Sequence, residues 1–383
     1  MNNNQQAFFA LVRAGLWGDL RSVQEYKGLM VQDSVDWEQV LQMAMEQSVA
    51  GLAASGVEAV QAWLKDHGYP LIPRVVVVQF AGAAQYIEQQ NKDMNAFVAE
   101  LFGQLREAGI NALLVKGQGI AQCYENPMRR TPGDVDLLLD AENYEKGKAF
   151  LSSVAQEVHE ENDFDKHFSV ILDGWDVELH GSMRSMLPKE TDDRVDMVQE
   201  EAFINGKSRV WNNGGTEVLL PCPDDDVIFV FTHILKHFFH YGIGLRQVCD
   251  WCRLVYTYRN EMDLPLLKNR LESMGLMSEW RVFGAMAVNR LGMSAEAMPF
   301  YSPKESLVRR ADRALDFIME TGNFGHSRDN SRYRKSNVIM QRLGSLWLHT
   351  CDSIRHSFIF PVDAARIWSR MFYLGICDAL KGK

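Results

Sequence analysis

Residues 111–140, NALLVKGQGIAQCYENPMRRTPGDVDLLLD, hold the pattern from which the fold is read. Ala112-Leu113-Leu114-Val115 is a short apolar run of the kind that forms a buried strand. It leads straight into Lys116-Gly117-Gln118-Gly119, where glycine permits unusual backbone angles and close approach of a ligand. A helix is predicted from there through Tyr124, stopped near Asn126-Pro127. A second strand follows at 134–139, and Asp134 and Asp136, at i and i+2, project from one face of it. Adjacent carboxylates repel one another, and a divalent cation is the usual way to stabilise them. A glycine turn at a helix N-terminus favours phosphate through its free N–H groups and the helix dipole. A phosphate cradle beside paired metal ligands describes nucleotide chemistry.

Downstream, Trp175-Asp176-Val177-Glu178-Leu179-His180 alternates strictly, so Asp176, Glu178 and His180 share a strand face. If that strand pairs beside 134–139, Glu178 can join Asp134 and Asp136 around metal. The series Lys116-Gly117, Arg130-x-x-x-Asp134-Val135-Asp136-Leu137-Leu138 and Val177-Glu178-Leu179-His180 resembles the nucleotidyltransferase superfamily of polymerase-β type. It is most similar to a bacterial nucleotidyltransferase-like group with Lys-Gly, Asp-x-Asp and Asp/Glu-Leu-His motifs. Where the superfamily usually has Gly-Gly or Gly-Ser, this chain has Gly117-Gln118, and the gap from Gly117 to Asp134 is long.

The resemblance implies an in-line attack by an acceptor hydroxyl on the α-phosphate of a nucleoside triphosphate, ATP being the expected one. It implies two Mg²⁺ ions held by Asp134, Asp136 and Glu178. Lys116, Gly117, Gln118 and Gly119 would hold the departing phosphates, and Arg130 would offset transition-state charge. His180 joins this nucleotide-binding set. The acceptor, whether small molecule, protein side chain or RNA end, is left open.

Working outward, the 383-residue chain suits a protein of two or three domains. Its N-terminus, MNNNQQAFFALV, lacks the basic region and long apolar core of a signal peptide. No apolar run approaches the ~20 residues of a membrane span. Scattered cysteines without a disulfide-like framework fit a reducing cytoplasm. A net charge of −10 weighs against nucleic acid as partner.

Helical periodicity predicts helices over 6–17, 36–49, 55–66 and, as one helix or two in tandem, 73–108. A helix over 141–158 precedes strands at 167–172 and 175–180, which Asp173-Gly174 joins as a hairpin. Residues 184–215 read as polar and loop-rich, leading to Val218-Leu219-Leu220 and a boundary at Pro221-Cys222-Pro223. The rest reads as helical: 224–241, 245–259, 264–275, 278–291, 304–321 and about 333–380. The expected fold is α+β. A small mixed-sheet core over 110–222 lies between helical regions over 1–109 and 223–383.

The last region carries a second constellation. His233, His237 and His240 stripe one helix face, and Tyr241-Gly242-Ile243-Gly244 breaks the helix before Leu245-Arg246 and Asp250. This too resembles the nucleotidyltransferase-like group, and it adds His237, Arg246 and Asp250 to the expected nucleotide site. Cys249-x-x-Cys252 lacks the further ligands of structural zinc and reads as two buried thiols. Two other functions are open: a nucleotide binder whose altered turn has lost catalysis, and a histidine-based metal hydrolase on the stripe. Repulsion from Asp134 predicts that Asn in place of Asp136 leaves stability unchanged or slightly raised.

Overall fold

The computed structural model describes residues 1–18, 35–161, 166–322 and 350–380, with side chains as far as residue 370. The apolar run after the long N-terminal helix becomes β1 (Leu113–Val115), followed by β2 (Val135–Leu138), β3 (Glu157–Val158), β4 (His167–Leu172) and β5 (Trp175–His180). They form one five-stranded sheet in the order β1-β2-β5-β4-β3. β2 runs parallel to β5, and the other neighbours are antiparallel. Asp173 and Gly174 both take positive φ, 50° and 80°, the backbone that a two-residue hairpin between right-twisted strands requires.

Alternation gives the sheet two unlike faces. Val135, Leu137, Val177, Leu179 and Val170 point into an apolar core shared with α4 (Arg74–Glu107) and α6 (Ala141–Val154). The opposite face carries Asp136, Glu178 and His180, and Asp134 stands just ahead of β2.

Helices from both ends of the chain cover that polar face. α1 (Asn3–Trp17), α2 (Trp37–Glu46) and α3 (Ala50–Asp66) precede α4. α8 (Pro223–His240), α9 (Leu245–Thr257), α10 (Leu264–Ser273), α11 (Met277–Asn289), α12 (Glu305–Thr321) and α13 (Pro361–Leu380) follow the sheet. Buried residues of α1 and α3 belong to the same continuous apolar cluster as those of α8, α9, α11 and α12. The mixed α+β architecture is therefore as expected. Among the described residues, no helix is long and apolar enough to cross a membrane.

Several boundaries differ from the sequence reading. The stretch 184–215 is not mainly loop: it holds α7 (Lys189–Ile204) and β6 (Ser208–Asn213), which pairs with β7 (Thr216–Pro221). The buried side of α7 includes Thr191, Asp192 and Gln199, whose hydrogen bonds replace apolar contacts, so its periodicity was masked. The helix opened by Gly117 is only α5 (Gly117–Ala121), α3 starts at Ala50, and α6 stops at Val154. Residues 333–349 of the last predicted helix lie outside the described residues. The acids Asp224, Asp225 and Asp226 occupy the first turn of α8, where its dipole favours them, with Cys222 at the N-cap position.

The loop between α5 and β2 delivers Arg130 to the polar face, and two helices fix its position. Asn91 of α4 donates to the carbonyls of Met128 and Arg130 at 2.9 and 2.8 Å. Arg129 pairs with Glu88 at 2.6 Å and Glu58 at 3.0 Å. Gly51 of α3 touches the loop so closely that a Cβ there would lie 2.3 Å from the Arg129 carbonyl oxygen. Gly51→Ala should therefore lower stability by about 1–3 kcal/mol in urea unfolding, because neither backbone can yield cheaply. Gly103→Ala, in a helix interior with nothing within 4 Å of the new methyl, should gain up to about 1 kcal/mol.

Candidate active site

The turn after β1 is the most strained part of the polar face. Lys116 takes φ 58° and ψ −146°, a sparsely populated region for an L-residue, and Gly117 follows at φ 40°. This sharp reversal brings the backbone against the next strand, so that a Cβ on Gly117 would lie 3.2 Å from the Asp134 carbonyl oxygen. It also turns the Lys116 ammonium over β2, 2.6 Å from Asp136 Oδ1.

Asp136 is the hub. Its register partners are Val115 on one side and Glu178 on the other, so the two carboxylates sit side by side on parallel strands. His180 Nε2 lies 2.8 Å from Asp136 Oδ1 and 3.4 Å from Glu178 Oε2, and His167 Nε2 lies 3.0 Å from Glu178 Oε2. Burial alone would raise the Glu178 pKa, but hydrogen bonds from His167 and His180 hold it well below the usual carboxylate range. Asp134 reaches solvent at the mouth of the site, yet the surrounding walls desolvate it. With repulsion from Asp136 and Glu178 added, its pKa is pushed up to about 6.

Helices α8 and α9 form the facing wall. His233 and His237 stack edge to face, 4.3 Å between ring centres. Burial, reinforced by the Lys116 charge, holds both imidazoles neutral, His233 well below its ordinary pKa and His237 at about 3. Arg130 binds Asp250 through two hydrogen bonds of 2.9 and 2.8 Å, and Tyr124 donates to the same carboxylate at 2.7 Å. Arg246 donates from Nη1 to the carbonyls of Thr131 and Pro132, at 3.0 and 2.8 Å, while its buried Nε has no partner among the described residues. Gly133 makes room for it, since a Cβ there would stand 3.1 Å from Nη1.

These groups enclose one cleft of about 270 Å³, close to the ~300 Å³ at the small end of ligand pockets. Of the residues singled out by sequence, Lys116, Gly117, Arg130, Asp134, Asp136, Glu178, His180, His237, Arg246 and Asp250 line it together. Gln118 and Gly119 do not. The Gln118 amide donates to Asn91 and Asn95 of α4 at 3.1 and 2.6 Å, bracing the turn from behind. Gly119 is small for packing, because a Cβ would meet Leu220 at 2.9 Å. The histidine stripe divides: His233 and His237 line the cleft, while His240 turns to the Met186 carbonyl at 3.2 Å.

His167 was missed, although the sequence held its signal. Counting back from the two-residue turn at Asp173-Gly174 pairs Leu172 with Trp175 and hence His167 with His180. Lys236, Tyr241, Gln247 and Met186, which also line the cleft, carry no such signal.

A family model described as an uncharacterised nucleotidyltransferase matches residues 33–292, about two thirds of the chain. The chain belongs to this nucleotidyltransferase family. No curated protein and no solved structure matches it significantly. The matched region takes in the whole sheet of the nucleotidyltransferase-family chain and helices α2 to α11, and so every residue that lines the cleft.

The expectation that Asp136→Asn is neutral or stabilising does not survive the geometry. Against the repulsion from Asp134 stands a 2.6 Å ion pair with Lys116, which the substitution would break inside a largely buried site. Its stability loss should be about 1–3 kcal/mol, the penalty for an unsatisfied buried partner. A pH dependence follows from His237. The unfolded imidazole titrates near 6.5 and the folded one near 3, so below about 6.5 the unfolded chain holds the extra proton. The His237 contribution to stability should fall as pH drops from 6.5 towards 3, so wild type should lose stability relative to His237→Gln over that range in urea melts taken at stepped pH.

Proposed function

We propose that this cleft binds a nucleoside triphosphate, ATP being the candidate to try first, and transfers its nucleoside monophosphate to an acceptor hydroxyl. The observation that carries the reading is the convergence of Asp134, Asp136 and Glu178 on one cleft wall, beside the strained Lys116-Gly117 turn. In that reaction the acceptor oxygen bonds to the α-phosphorus, the bond to the β-phosphate bridging oxygen breaks, and pyrophosphate leaves. The acceptor proton passes to solvent or a nearby base.

The carboxylates suit a hard divalent ion such as Mg²⁺, which favours oxygen donors. Burial first, and then the crowded charge of Asp136 and Glu178, raises the Asp134 pKa, and a cation would relieve the crowding. Held by Asp134, Asp136 and Glu178, two such ions would supply positive charge to the attacking and leaving oxygens. Lys116 offers a mobile ammonium for the phosphates, exchanging Asp136 for them as substrate enters. Arg246 brings a buried donor, Nε, with no acceptor among the described residues, which suits an anionic ligand. Arg130 is committed to Asp250, so its part is to hold the cleft floor in shape with its charge already paired. His233 and His237, kept neutral, can hydrogen-bond a base or sugar without adding charge.

A nucleotide-binding protein without transfer is the second reading. It is favoured by the Gln118 side chain, which faces α4 and leaves no side-chain oxygen at the turn for a terminal phosphate. The hydrolase reading finds less support, since His240 stands apart from His233 and His237.

Incubating the protein with each labelled triphosphate and Mg²⁺, with a cell extract as acceptor source, separates transferase from binder. Label transfer by the wild type, reduced to background by Asp136→Asn, is the expected result. Nucleotide binding in calorimetry with no transfer under any condition would leave the binder. Asp134 gives a second test with a sign of its own. Its folded pKa near 6 lies above the ordinary 3.8, so its own contribution to stability falls as pH rises through that window, against the His237 contribution. Asp134→Asn should melt higher than wild type at pH 7.5 and equal to it at pH 4, and Mg²⁺ should narrow the gap at pH 7.5.

A further inference from the structure

We propose that His167, Glu178 and His180 form a three-ligand site for a zinc-class divalent ion at the edge of the cleft. One donor atom from each lies within 4.8 Å of the other two, and no other group of three among the described residues is so arranged. The Glu178 oxygen stands 3.0 Å from His167 Nε2 and 3.4 Å from His180 Nε2. Ligands at ~2.0–2.1 Å around tetrahedral zinc lie roughly 3.3 Å apart, so small side-chain adjustments complete the geometry.

The scaffold is rigid. His167 and His180 are direct register partners across the β4–β5 hairpin, and Glu178 is two residues from His180 on the same face. Two imidazoles and a carboxylate are a borderline donor set, matched to zinc rather than to magnesium. All three ligands line the cleft, which leaves the fourth position open to water or to a bound molecule. Binding would draw His180 away from Asp136, whose charge keeps its pairing with Lys116 at 2.6 Å.

Glu178 is common to this site and to the proposed magnesium-dependent chemistry. A zinc ion held here therefore antagonises nucleotidyl transfer; this consequence, unlike the binding itself, rests on the transferase reading.

Calorimetry of the full chain with zinc chloride and no nucleotide tests the site directly. The wild type should take up a single zinc, and His167→Ala should weaken it at least about tenfold. His167→Asn, which keeps a hydrogen-bond donor beside Glu178, should show the same loss with an unchanged melting curve. Cobalt(II) should give the visible absorption of a four-coordinate site in the wild type and not in either variant. Equal zinc affinity in wild type and both variants, or zinc binding no tighter than magnesium, overturns the site. In the transfer assay, zinc should slow the wild type and spare His167→Ala, each compared with its own zinc-free rate. An active wild type insensitive to zinc overturns the antagonism. A wild type that transfers nothing removes the transferase reading, and calorimetry still decides the zinc site.

Discussion

A carboxylate buried on an inner strand of a sheet has to be answered by charge, and Asp136 is so placed. It lies on β2 between β1 and β5, buried, with Glu178 beside it in register. An unpaired charge there would cost several kcal/mol in lost hydration. The chain meets the demand from both flanks, with Lys116 reaching over from the end of β1 and His180 from β5. Lys116 can reach only because its backbone is held at positive φ, and that strain is tolerated because the next residue is glycine and Gln118 braces the turn against α4. A strained lysine and a buried acid are thus parts of one arrangement.

The rest of the cleft extends the same electrostatic economy. Negative charge gathers on the sheet side, and the helical wall opposite offers neutral imidazoles and guanidinium groups. Arg130 is locked to Asp250 with Tyr124 as a second donor, so it shapes the wall while adding no net charge. Arg246 is committed on one edge only. Such a wall can admit an anion accompanied by cations without first having to shed a tightly bound one. The long loop that brings Arg130 in is held by Gly51, Asn91 and the Arg129 ion pairs, so helices that do not line the cleft fix one of its residues.

Strand parity separates two uses of the same sheet. One face is apolar and binds the sheet to α4 and α6, and the other is spent on acids and histidines. Because parity is absolute, a slip of one residue in β2 or β5 would bury the acids and expose the valines and leucines. The hydrophobic core therefore holds the site in register as strictly as the site's own ion pairs do.

Much of this was legible in the chain alone. Alternation in 134–139 and 175–180 put Asp136, Glu178 and His180 on one face each, and the Asp-Gly turn fixed the hairpin and, with it, the pairing of His167 with His180. Local rules suffice there because a strand's side-chain direction and a two-residue turn depend on neighbouring residues only. Periodicity failed where burial is polar, as in α7, whose inner face is closed by a hydrogen bond that Thr191 donates and by others that Asp192 and Gln199 accept. Nothing local could say that β2 pairs with β5, that Lys116 would pair with Asp136, or that Gln118 would turn its back on the cleft. Those outcomes depend on which distant segments share a core, and α8, α9 and α4 reach the turn only because apolar faces far along the chain pack together. Residue type and order determined which groups this protein could bring to a site; packing between segments a hundred residues apart decided which of them meet.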